Sequence, residues 1–417
     1  MTKKTFPLQK KDLEAAAKRY GTPFYIYDER AIRENARRIN AAFSVFNGYI
    51  NHFAVKAMPN PVMLRVLAEE GFGADCSSLT ELMLAEKACI TGEKIMFTSN
   101  ETPSAEYKKA RELGAVINID DFTHIEFLKK KAGLPEMLSI RYNPGPLKLG
   151  NAIIGNPVEA KYGFTREQTV EGFKLLKEMG VKRFALHTMV ASNELNTDYH
   201  IETGRLLFEL AVEIKKKTDI SLEFVNLGGG VGIPYKLEDT AINYEELAAG
   251  LKVAFDAVMI PAGLQNTGIH TEWGRAITGP YGWLVTRAIH HKNIYRKYIG
   301  VDASMADLMR PAMYGAYHHI TVAGKENAPP TEVYDIVGSL CENCDKFAVQ
   351  RPLPAIETDE DSGDLLIIHD AGAHGRAMGF NYNGKLRCGE LLLSTGGSII
   401  QIRRNESPED LFATLDV

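Results

Sequence analysis

From about residue 30 the chain repeats one rhythm: a short apolar run, a Gly, Asn, Asp or Pro break, then a stretch with apolar residues three and four apart. The apolar runs are GYINHFAV (48–55), GADC (73–76), IMFT (95–98), VINI (116–119), MLSIRY (137–142), RFALHTM (183–189), LEFVNL (222–227) and GIHTE (268–272). Between them, PSAEYKKARELG and YHIETGRLLFELAVEIKKK place apolar residues at helical spacing and end on glycine or charge. Eight strand-plus-helix units over about 245 residues suit a closed, TIM-like β/α barrel better than an open doubly wound sheet. After about residue 283 the long helical stretches stop. Segments such as WLVTRAIHHKN, EVYDIVGSL, DLLIIHDAGA and GELLLSTGGSIIQIRR then predict a C-terminal all-β domain, sandwich or barrel. TPFYIYDE, ahead of the barrel rhythm, reads as a strand that joins this β domain. The expected fold is α/β, with an N-terminal segment 1–35, a barrel 36–282 and a β domain 283–417.

Composition adds the broad class. With 417 residues, 45% hydrophobic, 24% charged and a net charge of -5, the chain is an ordinary globular protein, long enough for two domains. The slight acidic excess, without basic runs, argues against nucleic acid or an anionic membrane as partner. No apolar run reaches the length of a signal or spanning segment, so a cytoplasmic location is expected. The five cysteines (Cys76, Cys89, Cys341, Cys344, Cys388) are too scattered for a disulfide framework. Cys341 and Cys344 form a CxxC pair, but no second CxxC or HxxxH accompanies it, and no metal site is expected.

The strand ends carry the candidate chemistry. In a closed barrel the carboxyl ends of the strands converge on one mouth, and here they bring Lys56, Asp75, Asn100, Asp120, Arg141, His187, Gly228 to Gly230 and Glu272. Each taken singly is an ordinary strand terminus. Lys56, closing the otherwise apolar HFAVKAMPN, shares a strand face with Ile50, His52 and Ala54, and a chemical use for its amine would explain so costly a position. NLGGGVGIPY is either a tight turn or a row of unobstructed amides suited to a phosphate. HTEWGRAITGP sets Glu272 three residues before Arg275, with Gly274 between, as a local ion pair or as two groups entering one pocket. A lysine amine, a phosphate cradle, a carboxylate and an arginine together describe a site for pyridoxal 5'-phosphate. Lys56 would hold its aldehyde and Glu272 would keep its ring nitrogen protonated.

The same residues resemble a known family, the barrel-type (fold type III) pyridoxal-phosphate amino-acid decarboxylases, and within it the diaminopimelate decarboxylases. The resemblance runs from TPFYIYD to GELLL through FAVKAMPN, GADCSSLTEL, NLGGGVGIPY, EWGR, GVDASMADLMRPAMYGAYHHI, VGSLCENCD, DAGAHG and FNYNGKLR. It implies a catalytic set of Lys56, Glu272 and Cys341, the last as proton donor near Cα. It implies cofactor contacts from Lys56, Asp75, Arg141, His187, Met189, Ser192, Gly228, Gly229, Gly230, Glu272, Trp273, Gly274, Arg275 and Tyr382. Substrate contacts would come from Arg275, Arg310, Tyr314, Glu342 and Tyr382, with Cys341 and Glu342 donated across a homodimer interface. Arg310 with Tyr314 would suit a distal carboxylate, and Glu342 a distal amine.

Three positions depart from the family pattern. Met189 stands where a ring-stacking histidine is usual, Trp273 where proline is common, and His374 where tyrosine is expected. The expected reaction is decarboxylation of meso-2,6-diaminopimelate to L-lysine and carbon dioxide. The alternatives are a decarboxylase of another amino acid (ornithine, arginine, carboxynorspermidine or a D-amino acid) and a non-catalytic pyridoxal-phosphate-binding homologue.

Overall fold

The computed structural model describes residues 4–150 and 155–416. Two compact units emerge, one made of Arg33–Ile233 and Ala241–Ile277, the other of Met1–Ile32, Pro234–Thr240 and Thr278–Val417. Pro234–Thr240, read from sequence as barrel, therefore groups with the other unit.

The first strand of the second unit is β1 (Phe24–Asp28), from the TPFYIYDE segment. The first unit is the expected barrel: β2 (Ile50–Ala54), β3 (Gly73–Cys76), β4 (Ile95–Thr98), β5 (Val116–Ile119), β6 (Met137–Tyr142), β7 (Arg183–Thr188), β8 (Phe224–Asn226) and β9 (Gly268–Thr271). They pair in parallel in chain order, and β9 returns to β2 through Ile50 opposite His270.

Period-two alternation layers the interior. Met96, Val116, Met137, Ala185 and Phe224, from five successive strands, form an apolar cluster. Two residues further along, the sequence turns polar, with Asn118, Ser139, His187 and Asn226, all buried. One more step reaches Asp120 and Arg141. An apolar layer thus fills one end of the barrel and polar side chains the end where the chain leaves each strand. His52 and His270, on neighbouring strands, meet with Nε2 and Nδ1 3.1 Å apart. Burial pushes His52 down to about 4 and His270 well below its ordinary value, so this pair stays neutral.

One local expectation fails. β2 ends at Ala54, and Val55–Ala57 forms a single 3-10 turn, so strand alternation does not extend to Lys56. The turn carries Lys56 out of the strand face it was read on and leaves it exposed.

Helices close the outside of the barrel. Asn196 caps Thr197–Thr218 by accepting from the amides of Asp198 and Tyr199, and the helix buries Leu207, Phe208, Leu210, Ala211 and Ile214. It lies against Tyr244–Met259 at glycines. A Cβ on Gly204 would sit 2.4 Å from Leu251 Cδ2, and one on Gly250 2.2 Å from Ile201 Cδ1.

The second unit continues with β10 (Gly282–Asn293), β11 (Lys297–Val301), β12 (Ile320–Val322), β13 (Glu332–Val337), β14 (Lys346–Leu353), β15 (Leu365–Ile368), β16 (Gly389–Leu393) and β17 (Ile399–Arg403). They make a mixed nine-stranded sheet in which β1 lies between β10, antiparallel, and β16, parallel. Alternation along β1 sends Phe24 and Ile26 into a core with Trp283, Val285, Leu365, Ile367 and Leu391, covered by Leu13, Ala16 and Ala17 of the helix Lys10–Tyr20. Tyr25 and Tyr27 point the other way. Their hydroxyls donate to Asp307 O at 2.8 Å and to Glu390 Oε1 at 2.7 Å. Among the described residues no helix is long and apolar enough to cross a membrane.

Gly204→Leu is expected to destabilise the barrel. Forcing a side chain into that contact costs about 1–3 kcal/mol, against roughly 1 kcal/mol returned by replacing a helical glycine. The measurement is the urea midpoint of the barrel's unfolding transition, which should fall.

Candidate active site

The carboxyl ends of the strands build one polar mouth. Lys56, on the turn after β2, acts electrostatically on Asp75, Glu81 and Glu272 and lowers the proton affinity of all three. Asp75, in β3, is buried, and its Oδ1 accepts no hydrogen bond. Burial and then the charge of Glu272 hold its carboxyl well above the usual range, against the opposing pull of Lys56 and Arg141. Arg141, near the end of β6, is also buried, 3.7 Å from Asp120 and with its guanidinium 3.7 Å from the Tyr162 ring. Burial lowers its pKa, which Asp120 counters.

Glu272 is the most constrained group. His187 Nε2 lies 2.8 Å from its Oε2, and Asn226 Nδ2 donates to its Oε1 at 2.8 Å. The Glu272 amide donates to Gly228 O at 2.8 Å, which fixes the backbone beneath the side chain. Burial by itself would raise this carboxyl, but the charge and hydrogen bond of His187, with His52 and Lys56 adding, bring it below its ordinary value. Glu272 is therefore an anion in the barrel interior. A carboxylate has about four lone-pair positions, so two bonded oxygens still leave room for another donor. His187 Nδ1 is buried without a partner.

The glycine run owes its composition first to packing. A Cβ on Gly228 (φ 70°) would stand 2.0 Å from Thr188 O, and one on Gly230 (φ 105°) 2.8 Å from Ala191 O. The loop after β8 is thus pressed against the loop after β7, and only glycine fits. Of its amides, that of Gly228 donates to Asn226 Oδ1 at 2.9 Å, and that of Gly229 meets Met189 Sδ at 3.2 Å. A thioether is a weak acceptor, so a stronger one can take the Gly229 N–H. Arg275 Nη2 donates to Ser192 Oγ at 3.3 Å, which puts a guanidinium and a hydroxyl beside the same loop system.

Gly274 brings this segment against the lysine turn, since a Cβ there would be 2.8 Å from Ala57 Cβ and 3.0 Å from Ala54 Cβ. Trp273, expected among the cofactor contacts, is buried. Its indole packs on Phe43 and Tyr244, at centroid distances of 5.2 and 5.8 Å.

Comparison with known proteins decides the family. Residues 29–279 match the pyridoxal binding domain of the pyridoxal-dependent decarboxylases. The chain belongs to this family. Like other pyridoxal-dependent decarboxylases it is a carboxy-lyase that uses pyridoxal phosphate. It is 41% identical to Protein TabA of Pseudomonas amygdali pv. tabaci, over 98% of this chain and 93% of that protein. It is 34% identical to a diaminopimelate decarboxylase of Methanothermobacter thermautotrophicus, over 96% and 93% respectively. The crystal structure of diaminopimelate decarboxylase from M. jannaschii in complex with L-lysine superposes with a TM-score of 0.88 at 30% identity, covering 97% of this chain and 94% of that one.

The mouth fits the decarboxylase cofactor: an ionised acid in the interior, an exposed lysine beside it, a Gly229 amide on a weak acceptor, and partnerless buried atoms at Asp75 Oδ1, Arg141 Nε and His187 Nδ1. Lys56, Asp75, Arg141, His187, Met189, Ser192, Gly228 to Gly230, Glu272, Gly274 and Arg275 all belong to the barrel unit.

The other expected residues belong to the sheet unit. Arg310 and Tyr314 bound one short helix, where Arg310 is buried with its guanidinium 5.1 Å from the Tyr235 ring and Tyr314 is exposed. Cys341 is exposed, Glu342 half-buried and Tyr382 exposed.

Sequence reading missed Asn226 and Tyr162. Asn226 carried a usable signal, because it shares the inward face of β8 with Phe224. Tyr162 carried none, since its position depends on how the segment after β6 folds back to pair Phe164 with Tyr142.

The Glu272 network makes a pH prediction. A depressed carboxylate stabilises the fold above its unfolded pKa, and that contribution disappears as pH falls through the folded value. His187→Ala removes the main lowering partner and leaves burial dominant, so Glu272 is expected to take up its proton at higher pH. Carboxyl resonances of 13C-labelled glutamate, followed through a titration, report the shift; an unmoved resonance would assign the low value to another group.

Proposed function

We propose that the chain catalyses the pyridoxal-phosphate-dependent decarboxylation of meso-2,6-diaminopimelate to L-lysine and carbon dioxide. The observation that carries this reading is that diaminopimelate decarboxylases resemble the chain along nearly its whole length, sheet unit included, and not over the cofactor barrel alone. One of these structures was solved with L-lysine, the expected product.

The residues take these roles. Lys56 would hold the cofactor covalently through its amine. Glu272, kept anionic by His187 and Asn226, would hold a proton on the ring nitrogen. The amides of Gly229 and Gly230, with Ser192, Arg275 and Tyr382, would hold the phosphate. Asp75, Arg141 and Met189 line the remaining mouth. When bound, the cofactor supplies an electron-withdrawing ring that accepts the electron pair left on Cα as carbon dioxide departs.

Arg310 and Tyr314 bind the distal carboxylate, Glu342 the distal amine, and Arg275 and Tyr382 complete the substrate contacts. Cys341 returns a proton to Cα. We place Cys341 and Glu342 in the partner's site of a homodimer. The cytoplasm is the expected compartment, in keeping with the five free cysteines.

A second reading is favoured by one feature. Met189 occupies the place of the family's ring-stacking histidine, and its sulfur engages the glycine loop instead. Such a change in the mouth suits decarboxylation of a different amino acid.

Two measurements test these assignments. Cofactor-loaded protein given meso-diaminopimelate should release carbon dioxide and L-lysine in equal amounts. Turnover of ornithine, arginine or a D-amino acid in its place would establish the second reading. Borohydride reduction followed by peptide mapping should place the cofactor on Lys56, and Lys56→Ala should lower kcat by about a thousandfold or more. Label on any other lysine would overturn that assignment.

A further inference from the structure

Apart from Arg275, the residues assigned above to the substrate are scattered along the sheet unit, at 310–314, 341–342 and 382. Their loops nevertheless share one buried anchor, the turn Ser304–Asp307, whose residues are all at most 5% exposed.

Asp345 ties the loop bearing Cys341 and Glu342 to this turn. Its Oδ1 accepts from Met305 N at 2.7 Å and its Oδ2 from Leu340 N at 2.8 Å. The loop closes around it, with Gly338 N donating to Asp345 O at 3.0 Å and Asp345 N to Glu342 O at 3.1 Å. Gly338 has to be glycine, because a Cβ there would stand 2.3 Å from Asp345 Oδ2. Cys344 adds a softer contact, its Sγ 3.7 Å from Met305 Sδ.

Asp307 does the same for the segment that carries Tyr382. Its Oδ1 accepts from Cys388 N at 2.9 Å and its Oδ2 from Ser304 N at 3.1 Å. At the other end of that segment Phe380 N donates to Ala306 O at 3.2 Å, and a Cβ on Gly379 would be 2.7 Å from the same oxygen. The turn then runs directly into Arg310–Tyr314.

We propose that Asp345 and Asp307 are positioning residues for substrate recognition: two buried carboxylates that lock two separate loops to the Ser304–Asp307 turn, which itself runs on into Arg310–Tyr314, and so hold in place the side chains that face this chain's own substrate and those that face the partner's. The proposal rests on the reading that those loops bind substrate. The chemistry requires carboxylates. Each oxygen accepts one main-chain N–H, and such charge-assisted bonds in a buried setting hold a backbone more firmly than neutral ones. An asparagine of the same shape offers one acceptor and turns an NH2 group against the second N–H, so it breaks one tie without opening a cavity.

The test is Asp345→Asn in the cofactor-loaded enzyme, compared with Glu342→Gln and Arg310→Ala. The expected result is a rise of about tenfold or more in KM for meso-diaminopimelate, a smaller change in kcat, and unaltered cofactor absorbance. Alkylation of Cys341 by iodoacetamide should quicken at the same time as its loop loosens. An unchanged KM in Asp345→Asn, with Glu342→Gln and Arg310→Ala impaired, overturns the positioning role. Wild-type KM in all three overturns the substrate-loop reading on which it rests. Loss of cofactor in step with the change in KM also overturns the proposal, because it marks a general folding role. Should Asp345→Asn fail to fold, Asp307→Asn is read against the same outcomes.

Discussion

The anion at Glu272 governs the organisation of the barrel mouth. A carboxylate inside a barrel is costly unless its oxygens are bonded and opposite charge is near. Here His187 and Asn226 bond one oxygen each, Lys56 contributes positive charge, and the Glu272 amide is tied to Gly228. Satisfying that one group recruits β7, β8, β9 and the turn after β2. It also explains why the polar layer begins where it does. His187 and Asn226 each sit one pleat beyond an apolar residue on the same inward face, Ala185 and Phe224, so the barrel turns from hydrocarbon to hydrogen bonds within a single step of the strand period.

The neighbouring carboxylate follows from the first. Two acids in one low-dielectric mouth cannot both ionise cheaply, and Asp75 is pushed well above its usual range by burial and by the charge of Glu272. The mouth thus offers an anionic acid and, beside it, one that favours its proton. That asymmetry is set by partners, since Glu272 has His187 and Asn226 while Asp75 Oδ1 has none.

The glycine run shows how one sequence feature can answer to two demands. Its residues are glycines because the loops after β7 and β8 touch through backbone, at Thr188 O and Ala191 O. The same lack of side chains exposes the Gly229 amide, whose partner is the soft sulfur of Met189. Met189 is therefore both a departure from the family pattern and part of the local packing, and any account of substrate choice has to include it.

The eight strands, their order and the mouth residues Asp75, Arg141, His187 and Glu272 were legible from the repeating apolar runs and their ends, because apolar runs and their breaks are local features of the chain and a closed barrel brings strand ends together. Motif order likewise marked the family before any contact was known. Lys56 and Trp273 show where that reasoning stops. A strand period says nothing about where the strand ends, and the chain leaves it at Val55; it also cannot say that Trp273 finds Phe43 and Tyr244 in the helical layer. The bonds that hold Glu272 and Asp345 join residues 46 to 85 and 5 to 40 positions apart respectively. Which donors a buried carboxylate meets at such separations depends on loop closure and packing, and only the tertiary structure decides it.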